Sequence, residues 1–376
     1  MKYAGIYIHI PFCAIKCMYC DFYSIADREN AIPKFIEAIT YEIEQCEVDV
    51  SEWIIDTVFI GGGTPSLVKE HLIESILSCL NKKYDLSNLK ELTLEANPGE
   101  APKERLKSFN GMGINRISIG VQSLQPELLR FLTRIHNRDQ VFETYENARS
   151  AGFTNVNCDL IYSIPGQTWS DWSEDLGTII TMDPEHISAY TLTAEKGTEL
   201  FSMVSNNTIS MPGKGQEGDW FLKTHDILSN NGYEPYEISN FSKPGYECMH
   251  NLHYWDIDPY LAFGPSAHGY DGKYRWNNAR SLDHYIDRVM SGQSTISTKE
   301  KISLTNHINE KIGFGMRMIK GINPNMIPSK FKKKFNGNIR IIKQKYPDCI
   351  DSSGKNISFT QKGLLFADQL IPDMLL

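Results

Sequence analysis

Residues Tyr7–Phe22 read YIHIPFCAIKCMYCDF. The apolar run Ala4–Ile10 predicts a first β-strand, and a short loop with Cys13, Cys17 and Cys20 follows it. Three thiols in one tight loop can reach three irons of a cubane iron–sulfur cluster, which leaves the fourth iron open to a small molecule. The stretch therefore predicts a metal centre directly after the first strand.

Two other uses of these cysteines have to be weighed. A disulfide is disfavoured because three is an odd number and no secretory segment precedes the loop. A structural zinc site, with His9 or Asp21 as fourth ligand, is the stronger alternative because CxxC spacing is common in zinc sites. The residues favour the cluster and keep zinc as the alternative.

Length and composition limit the class of protein. A chain of 376 residues, 41% hydrophobic and 22% charged, is long enough for a large domain plus a smaller one. No apolar run is long enough for a membrane span, and a net charge of −8 argues against a nucleic-acid binder. The cysteines outside the loop are scattered, which is typical of reduced thiols, so we expect a cytoplasmic protein.

The first half of the chain alternates between short β-rich runs and amphipathic helical runs. This alternation is typical of a parallel sheet, and six repeats predict an α/β fold with a partial TIM-like (β/α)6 barrel, since a complete barrel takes about 250 residues. The predicted strands are Ala4–Ile10, Asp56–Ile60, Glu91–Glu95, Arg116–Gly120, Asn155–Ile161 and His186–Leu192. The predicted helices are Ala31–Cys46, Leu67–Asn81, Lys103–Phe109, Pro126–Leu132, Gln140–Ala151 and Trp169–Thr181.

Polar motifs follow the predicted strands where barrel enzymes carry their sites. Gly61–Ser66 follows the second strand, and its glycines would let backbone amides approach a ligand, although such a run is equally typical of a plain turn. Glu95, Asp159 and Arg134 follow or end later strands. Convergence of these charges would indicate a polar ligand, whereas pairing among themselves would make them internal salt bridges.

The spacing Cys-x-x-x-Cys-x-x-Cys resembles the cluster motif of radical S-adenosylmethionine (SAM) proteins. The flanking residues are similar to those of the oxygen-independent coproporphyrinogen III oxidase family and its relatives, and the likeness extends over most of the chain. It implies a radical SAM barrel with a [4Fe–4S] cluster on Cys13, Cys17 and Cys20. It also implies SAM contacts from Tyr7, Tyr19, Gly62, Gly63, Thr64, Glu95, Gln122, Arg134 and Asp159.

Three positions depart from the usual pattern of that family. The oxidase has a further cysteine two residues after the third one, where this chain has Phe22. This resembles the heme chaperone (HemW-like) branch. Thr133 and Ser163 stand where relatives commonly have glycine.

Domain boundaries are less clear in the second half of the chain. We expect the barrel to occupy residues 1–200, an extension to occupy 201–290, and a smaller, mostly helical module to occupy 291–376. The extension should contain a helix over Gln216–Asn230 and an edge strand over Tyr233–Ile238. A short basic run at Lys330–Lys334 is typical of a solvated helix face.

Residues 250–255 read HNLHYW and resemble a heme-binding motif of the chaperone branch. An imidazole beside Tyr and Trp suits an iron porphyrin, which needs an axial nitrogen and large apolar faces. Such a histidine is also common in ordinary cores. The resemblance favours His250 as heme ligand, with His253, His268 and the thiol of Cys248 secondary.

Two functions from different classes fit these observations. The first is a heme chaperone that holds a [4Fe–4S] cluster, SAM and heme and passes heme to an acceptor protein, with an electron donor such as flavodoxin or ferredoxin. The alternative is an enzyme, the coproporphyrinogen III dehydrogenase, which decarboxylates propionate side chains by radical chemistry. A zinc-stabilised barrel of other function is the third reading.

Overall fold

The computed structural model describes all 376 residues, Met1–Leu376. Contacts divide the chain into two units, and each unit is discontinuous in sequence. The first comprises Met1–Pro212 and Asp258–Glu300, and the second comprises Gly213–Ile257 and Lys301–Leu376.

The first 212 residues contain the predicted strand–helix repeats. The strands are β1 (Lys2–Ile10), β2 (Trp53–Gly62), β3 (Glu91–Ala96), β4 (Arg116–Gln122), β5 (Val156–Tyr162) and β6 (His186–Thr191). The helices are α1 (Ile32–Gln45), α2 (Glu70–Lys83), α3 (Lys103–Gly111), α4 (Pro126–Phe131), α5 (Arg138–Ser150), α6 (Trp169–Met182) and α7 (Glu199–Ser205). The predicted α/β fold is confirmed, and its elements differ from the predicted ones by a few residues at their ends.

Side-chain caps explain where two helices begin. Asn137 accepts a hydrogen bond from the backbone of Gln140, whose own side chain bonds back to Asn137, so α5 begins at Arg138. Thr168 and Asp171 form the same capping box at the start of α6. Each box satisfies two backbone N–H groups that a helix start otherwise leaves unpaired.

The strands β1 to β6 are parallel and adjacent in chain order. Strand β1 is buried at consecutive positions, as is typical of a strand inside a parallel sheet. On α1, Ile32, Phe35, Ile36, Ile39 and Ile43 are buried at helical spacing. The carboxyl ends of all six strands therefore lie at one edge of the sheet.

A second segment completes this sheet on the other side of β1. Asp258–Glu300 contains β9 (Tyr260–Phe263), β10 (His268–Tyr270), β11 (Tyr274–Asn278) and α10 (Leu282–Met290), and β12 (Ile296–Lys301) ends just past it. Strand β9 pairs with β1 in parallel, and β10 and β11 continue antiparallel. Strand β1 therefore has a neighbour on each side.

Glu42 on α1 ties this segment to the first helix. Burial raises the pKa of its carboxyl to about 7, although its hydrogen bonds act in the opposite direction. The two carboxylate oxygens accept four hydrogen bonds of 2.6–2.9 Å, from the Gly264 amide, the Asn278 side chain, the Tyr285 hydroxyl and the Thr295 hydroxyl.

The second unit consists mainly of helices. It contains α8 (Lys214–Asn230), α9 (Met249–Asp256), α11 (Leu304–Arg317), α12 (Ser329–Lys345), α13 (Gln361–Leu365) and α14 (Ala367–Met374). Its short strands are β7 (Glu234–Pro235), β8 (Asn240–Ser242), β13 (Ile350–Asp351) and β14 (Ser358–Phe359). Its apolar core includes Ile312, Met316, Phe335, Ile342 and Leu370.

The two units defined by contacts have different boundaries from the three regions predicted from the sequence. The expected extension over residues 201–290 is shared between the units, because Asp258 onward returns to the sheet beside β1 while Gly213–Ile257 packs with the later helices. The predicted edge strand at 233–238 is reduced to β7, which pairs antiparallel with β8. None of the helices has the length and apolar composition that crossing a membrane would require.

We expect Glu42→Leu to lower the free energy of unfolding of the first unit by about 2 kcal/mol, because it leaves the Gly264 amide and the Tyr285 hydroxyl without the carboxylate that accepts from them. Urea unfolding followed by fluorescence measures the change. Glu37→Leu, at an exposed position of the same helix, is the matched control and should have little effect. Equal midpoints for the two variants would contradict this role of Glu42.

Candidate functional site

The three loop cysteines lie together after β1. Backbone bonds close their loop: the Cys13 amide donates to Ile25 O at 2.9 Å, and the Ile25 amide donates to Pro11 O at 2.8 Å. All three thiols are free, partly buried and line one cavity of about 430 Å³. The predicted metal-ligand residues are thus brought to a common space.

Electrostatics at this loop disfavours negative charge on two of the bare thiols, Cys13 and Cys20. Burial raises the pKa of Cys20 to about 11, and repulsion from Cys17 and Cys13 adds to the rise. Burial also raises the pKa of Cys13, although hydrogen bonds with Thr64 and Ser24 act against it. Thiolates here need a positive partner, and a metal centre that binds deprotonated sulfur would provide one.

The glycine-rich loop after β2 lies directly against the cysteine loop. The Gly63 amide donates to Ile10 O and the Thr64 amide donates to Phe12 O, both at 2.7 Å. A Cβ atom on Gly63 would lie 2.5 Å from Phe12 O, so a side chain there would push the loops apart. Gly62 adopts φ 112°, and its amide donates to Glu95 Oε2 at 2.9 Å. Glycine is therefore required for the close approach.

Carboxylates from β3 and β5 form the polar wall of the cavity. Burial raises the pKa of Glu95 to about 7, and the charge of Asp159 adds to this rise. Asp159 accepts hydrogen bonds of 2.9 Å from Ser118 and from Asn157. Neither carboxylate forms an ion pair with Arg134, so the alternative that these three charges form internal salt bridges gains no support. Both carboxylates line the cavity instead.

Arg134 connects this wall to the cysteines. Its Nη1 lies 3.7 Å from Cys17 Sγ, and its Nη2 donates to Gly120 O at 2.8 Å and to Asn97 Oδ1 at 2.5 Å. Its Nε is buried without a hydrogen-bond partner. Such an unfilled cationic donor in a cavity wall suits an anionic ligand group, for example a carboxylate.

The residues expected to contact SAM mostly meet at this cavity. Its lining includes Tyr19, Gly62, Gly63, Thr64, Glu95, Gln122, Arg134 and Asp159. Tyr7 is not part of the lining; its hydroxyl bonds to His9 Nδ1 at 2.9 Å. The charge of Glu95 still reaches Tyr7, where it adds to the rise in pKa that burial causes.

His9, the proposed zinc ligand of the alternative reading, has no free ring nitrogen. Nδ1 contacts the Tyr7 hydroxyl, and Nε2 lies 2.8 Å from Tyr23 O. Burial lowers its pKa to about 4, so the ring is neutral. In this arrangement His9 is not available as a fourth zinc ligand.

The structure also explains the two departures from glycine. Thr133 has φ 59° and Ser163 has φ 60°, a backbone region that glycine adopts freely and other residues seldom adopt. Gln122, at the end of β4, has φ 65° where the register between β4 and β5 shifts. Thr133 and Ser163 therefore adopt a left-handed backbone conformation that is strained for residues other than glycine.

His250 lies in the second unit, on α9. The residue is fully buried, and its Nε2 lies 2.9 Å from the Tyr254 hydroxyl. The ring of His253 lies 6.4 Å from that of His250, edge to face, and Trp255 packs against Phe314. The imidazole of His250 thus has Tyr254 beside it, with its ring nitrogen engaged inside the helix.

Sequence reasoning missed Asn97 and Glu100, both of which line the cavity. Asn97 donates to Thr64 Oγ1 at 2.9 Å and accepts from Arg134. It follows Glu95 by two residues at the end of β3. Since side chains alternate along a strand, this spacing was the signal that could have identified Asn97.

Comparison with known proteins gives one family pattern and several relatives. Residues 7–179 match the radical SAM superfamily. The chain is 30% identical to the heme chaperone HemW of Bacillus subtilis (strain 168), over 97% of each protein. It is 34% identical to the heme chaperone HemW of Lactococcus lactis subsp. lactis (strain IL1403), over 88% of this chain and 85% of the relative.

A solved structure has the same fold. Coproporphyrinogen III oxidase (HemN) from Escherichia coli, described as a radical SAM enzyme, superposes with a TM-score of 0.85. The match covers 99% of this chain and 90% of the oxidase, with 21% identical residues. At that identity the likeness concerns the fold alone.

Thr133→Gly should raise the free energy of unfolding by up to about 1 kcal/mol, because glycine adopts the left-handed backbone without strain. Chemical denaturation measures the difference. Ser75→Gly, at an exposed position inside α2, is the control and should lower stability by about 0.5 kcal/mol. If both variants lose stability alike, the backbone of Thr133 is not strained.

Proposed function

Since the chain belongs to the HemW family of radical SAM proteins, we propose that it is a heme chaperone that binds heme and passes it to an acceptor protein. The observation that carries the proposal is the match to HemW proteins over nearly the whole chain. The match spans both units, so it includes the cysteine loop of the first and the HNLHYW segment of the second.

The radical SAM family implies a [4Fe–4S] cluster and SAM, and the cavity fits both. We assign Cys13, Cys17 and Cys20 as the cluster ligands because their thiols line one cavity, where burial raises the pKa of Cys13 and Cys20 and a positive partner would offset it. When bound, the cluster would supply an iron without a protein thiolate, to which a small molecule can coordinate.

The remaining side chains of the cavity serve the SAM molecule in this proposal. Arg134 offers a buried Nε donor for a carboxylate. Glu95 and Asp159 supply acceptors for amino or hydroxyl groups. Tyr19, which lines the same cavity, excludes water from its side of the site. Tyr7, expected from the resemblance to contact SAM, is close enough to Glu95 for that charge to add to the rise in its pKa.

For heme, we propose His250 as an axial ligand. The support is the HNLHYW segment and the contact between the His250 and Tyr254 rings on α9. Nε2 faces the Tyr254 hydroxyl at 2.9 Å, so ligation of iron by this nitrogen would replace that hydrogen bond. Heme binding then requires α9 to open locally, because the residue is fully buried.

The dehydrogenase is less well supported. Phe22 stands where the oxidase family has its further cysteine, and this side chain is 64% exposed at the cavity. The likeness to the E. coli enzyme concerns the fold. An anaerobic assay with coproporphyrinogen III separates the two functions, since formation of protoporphyrinogen would favour the enzyme.

The partners follow from the same proposal. They are heme, an acceptor protein and an electron donor such as flavodoxin or ferredoxin that would reduce the cluster. We place the protein in the cytoplasm, where thiols stay reduced; none of the eight cysteines forms a disulfide bond.

Anaerobic reconstitution with iron and sulfide should give about four irons and four acid-labile sulfides per chain, the content of one cubane. Cys17→Ser should lose most of this iron, because it removes one of three thiolates, whereas Cys46→Ser, outside the loop, should retain it. Iron and sulfide analysis with visible absorption measures the content. Zinc without sulfide in the wild-type protein would overturn the assignment.

Addition of heme should produce a Soret band whose position and intensity change in His250→Ala, because the axial nitrogen is lost. The exposed His71→Ala is the control and should give the wild-type spectrum. Absorption spectroscopy at increasing heme concentration measures both affinity and ligation. A spectrum of His250→Ala identical to that of the wild type would rule out His250 as ligand.

A further inference from the structure

Arg134 contacts one of the cysteines directly. Its Nη1 lies 3.7 Å from Cys17 Sγ, and both side chains line the same cavity. Hydrogen bonds to the ligand sulfurs are among the factors that set the reduction potential of iron–sulfur clusters. A guanidinium also carries a fixed positive charge, which favours the more negative, reduced state of a nearby cluster. The contact is therefore suited to raise the reduction potential.

Asn97 holds this guanidinium in place. Its Oδ1 accepts from Nη2 at 2.5 Å, while its Nδ2 donates to Thr64 Oγ1 at 2.9 Å. Gly120 O accepts a second bond from Nη2 at 2.8 Å. A Cβ on Gly120 would lie 2.9 Å from Asn97 Oδ1 and 3.3 Å from Arg134 Nη2, so glycine leaves the room that this arrangement needs.

The same guanidinium keeps one donor unused. Arg134 Nε is buried and has no hydrogen-bond partner, although carboxylates line the same cavity. A carboxylate of a bound ligand that accepts from Nε would partly neutralise the positive charge. One cation would then interact with two negative groups, the cluster sulfur on one side and the ligand carboxylate on the other.

We propose that Arg134, positioned by Asn97, raises the reduction potential of the cluster and links that potential to SAM binding. The inference rests on the proposed function, because it takes Cys17 as a cluster ligand and SAM as the occupant of the cavity. Asn97 acts through Arg134 and is a positioning residue. This link is reciprocal. Because bound SAM weakens the effect of Arg134 on the cluster, the oxidised and the reduced protein bind SAM with different affinities.

The test is a redox titration of the reconstituted full-length protein, followed by the electron paramagnetic resonance signal of the reduced cluster, without SAM. At the wild-type midpoint potential, Arg134→Met should lower the ratio of reduced to oxidised cluster at least tenfold, which corresponds to 59 mV for one electron. Arg134→Lys retains the charge without the planar fork and should lie between the two. Asn97→Leu should shift the ratio in the same direction by a smaller factor.

Arg130→Met is the matched control. Arg130 is an exposed arginine on α4 that pairs with Glu127 at the surface, so the potential should stay at the wild-type value. Repeating the titrations with SAM bound tests the linkage, because the difference between wild type and Arg134→Met should then shrink. A difference of the same size with and without SAM would overturn the linkage.

Iron and sulfide content is measured first in every variant. An Arg134→Met protein with a full cluster and an unchanged potential would overturn the inference. If this variant fails to hold the cluster, wild-type potentials in both Arg134→Lys and Asn97→Leu would overturn it equally. Failure of the proposed function has a different signature: a wild-type protein without cluster, or heme spectra that do not depend on His250.

Discussion

Two backbone hydrogen bonds hold the site together. They join the exits of β1 and β2, from Gly63 N to Ile10 O and from Thr64 N to Phe12 O, each at 2.7 Å. They form because adjacent parallel strands deliver their carboxyl ends to one edge, and because Gly63 has no side chain to separate the loops. The cysteine loop thereby lies beside the glycine loop. Thr64 accepts a hydrogen bond from Asn97, which in turn accepts one from Arg134.

The groups that this connection gathers would be unfavourable in isolation. Three thiols, five carboxylates and a guanidinium share a partly buried cavity, and burial acts against the charged form of each carboxyl and thiol whose pKa it raises. Proteins retain such arrangements mainly at functional sites, where a ligand completes the charge balance. A cationic metal centre beside the thiols and a ligand with both a carboxylate and an amino group would complete it here.

Much of the first unit follows from its sequence because the determinants are local. Strand and helix periods identify β1 to β6 and α1 to α6, and the rule that chemistry lies at the carboxyl ends of parallel strands brings Gly62, Glu95 and Asp159 to one cavity. Other features depend on contacts distant in sequence. The return of residues 258–300 to β1 leaves no periodic signal, and neither the bond between Tyr7 and His9 nor the burial of His250 is visible in a motif.

The parallel pairing of β9 with β1 has a practical consequence for anyone who shortens this protein. A fragment that stops near Pro212 would contain every cysteine-loop and glycine-loop residue, yet it would turn β1 into an open sheet edge. Unpaired N–H and C=O groups along the apolar residues Gly5–Ile8 would then be free to recruit strands from other molecules. An expression fragment of the barrel therefore has to include the segment after Ile257, joined by a linker, if it is to remain monodisperse.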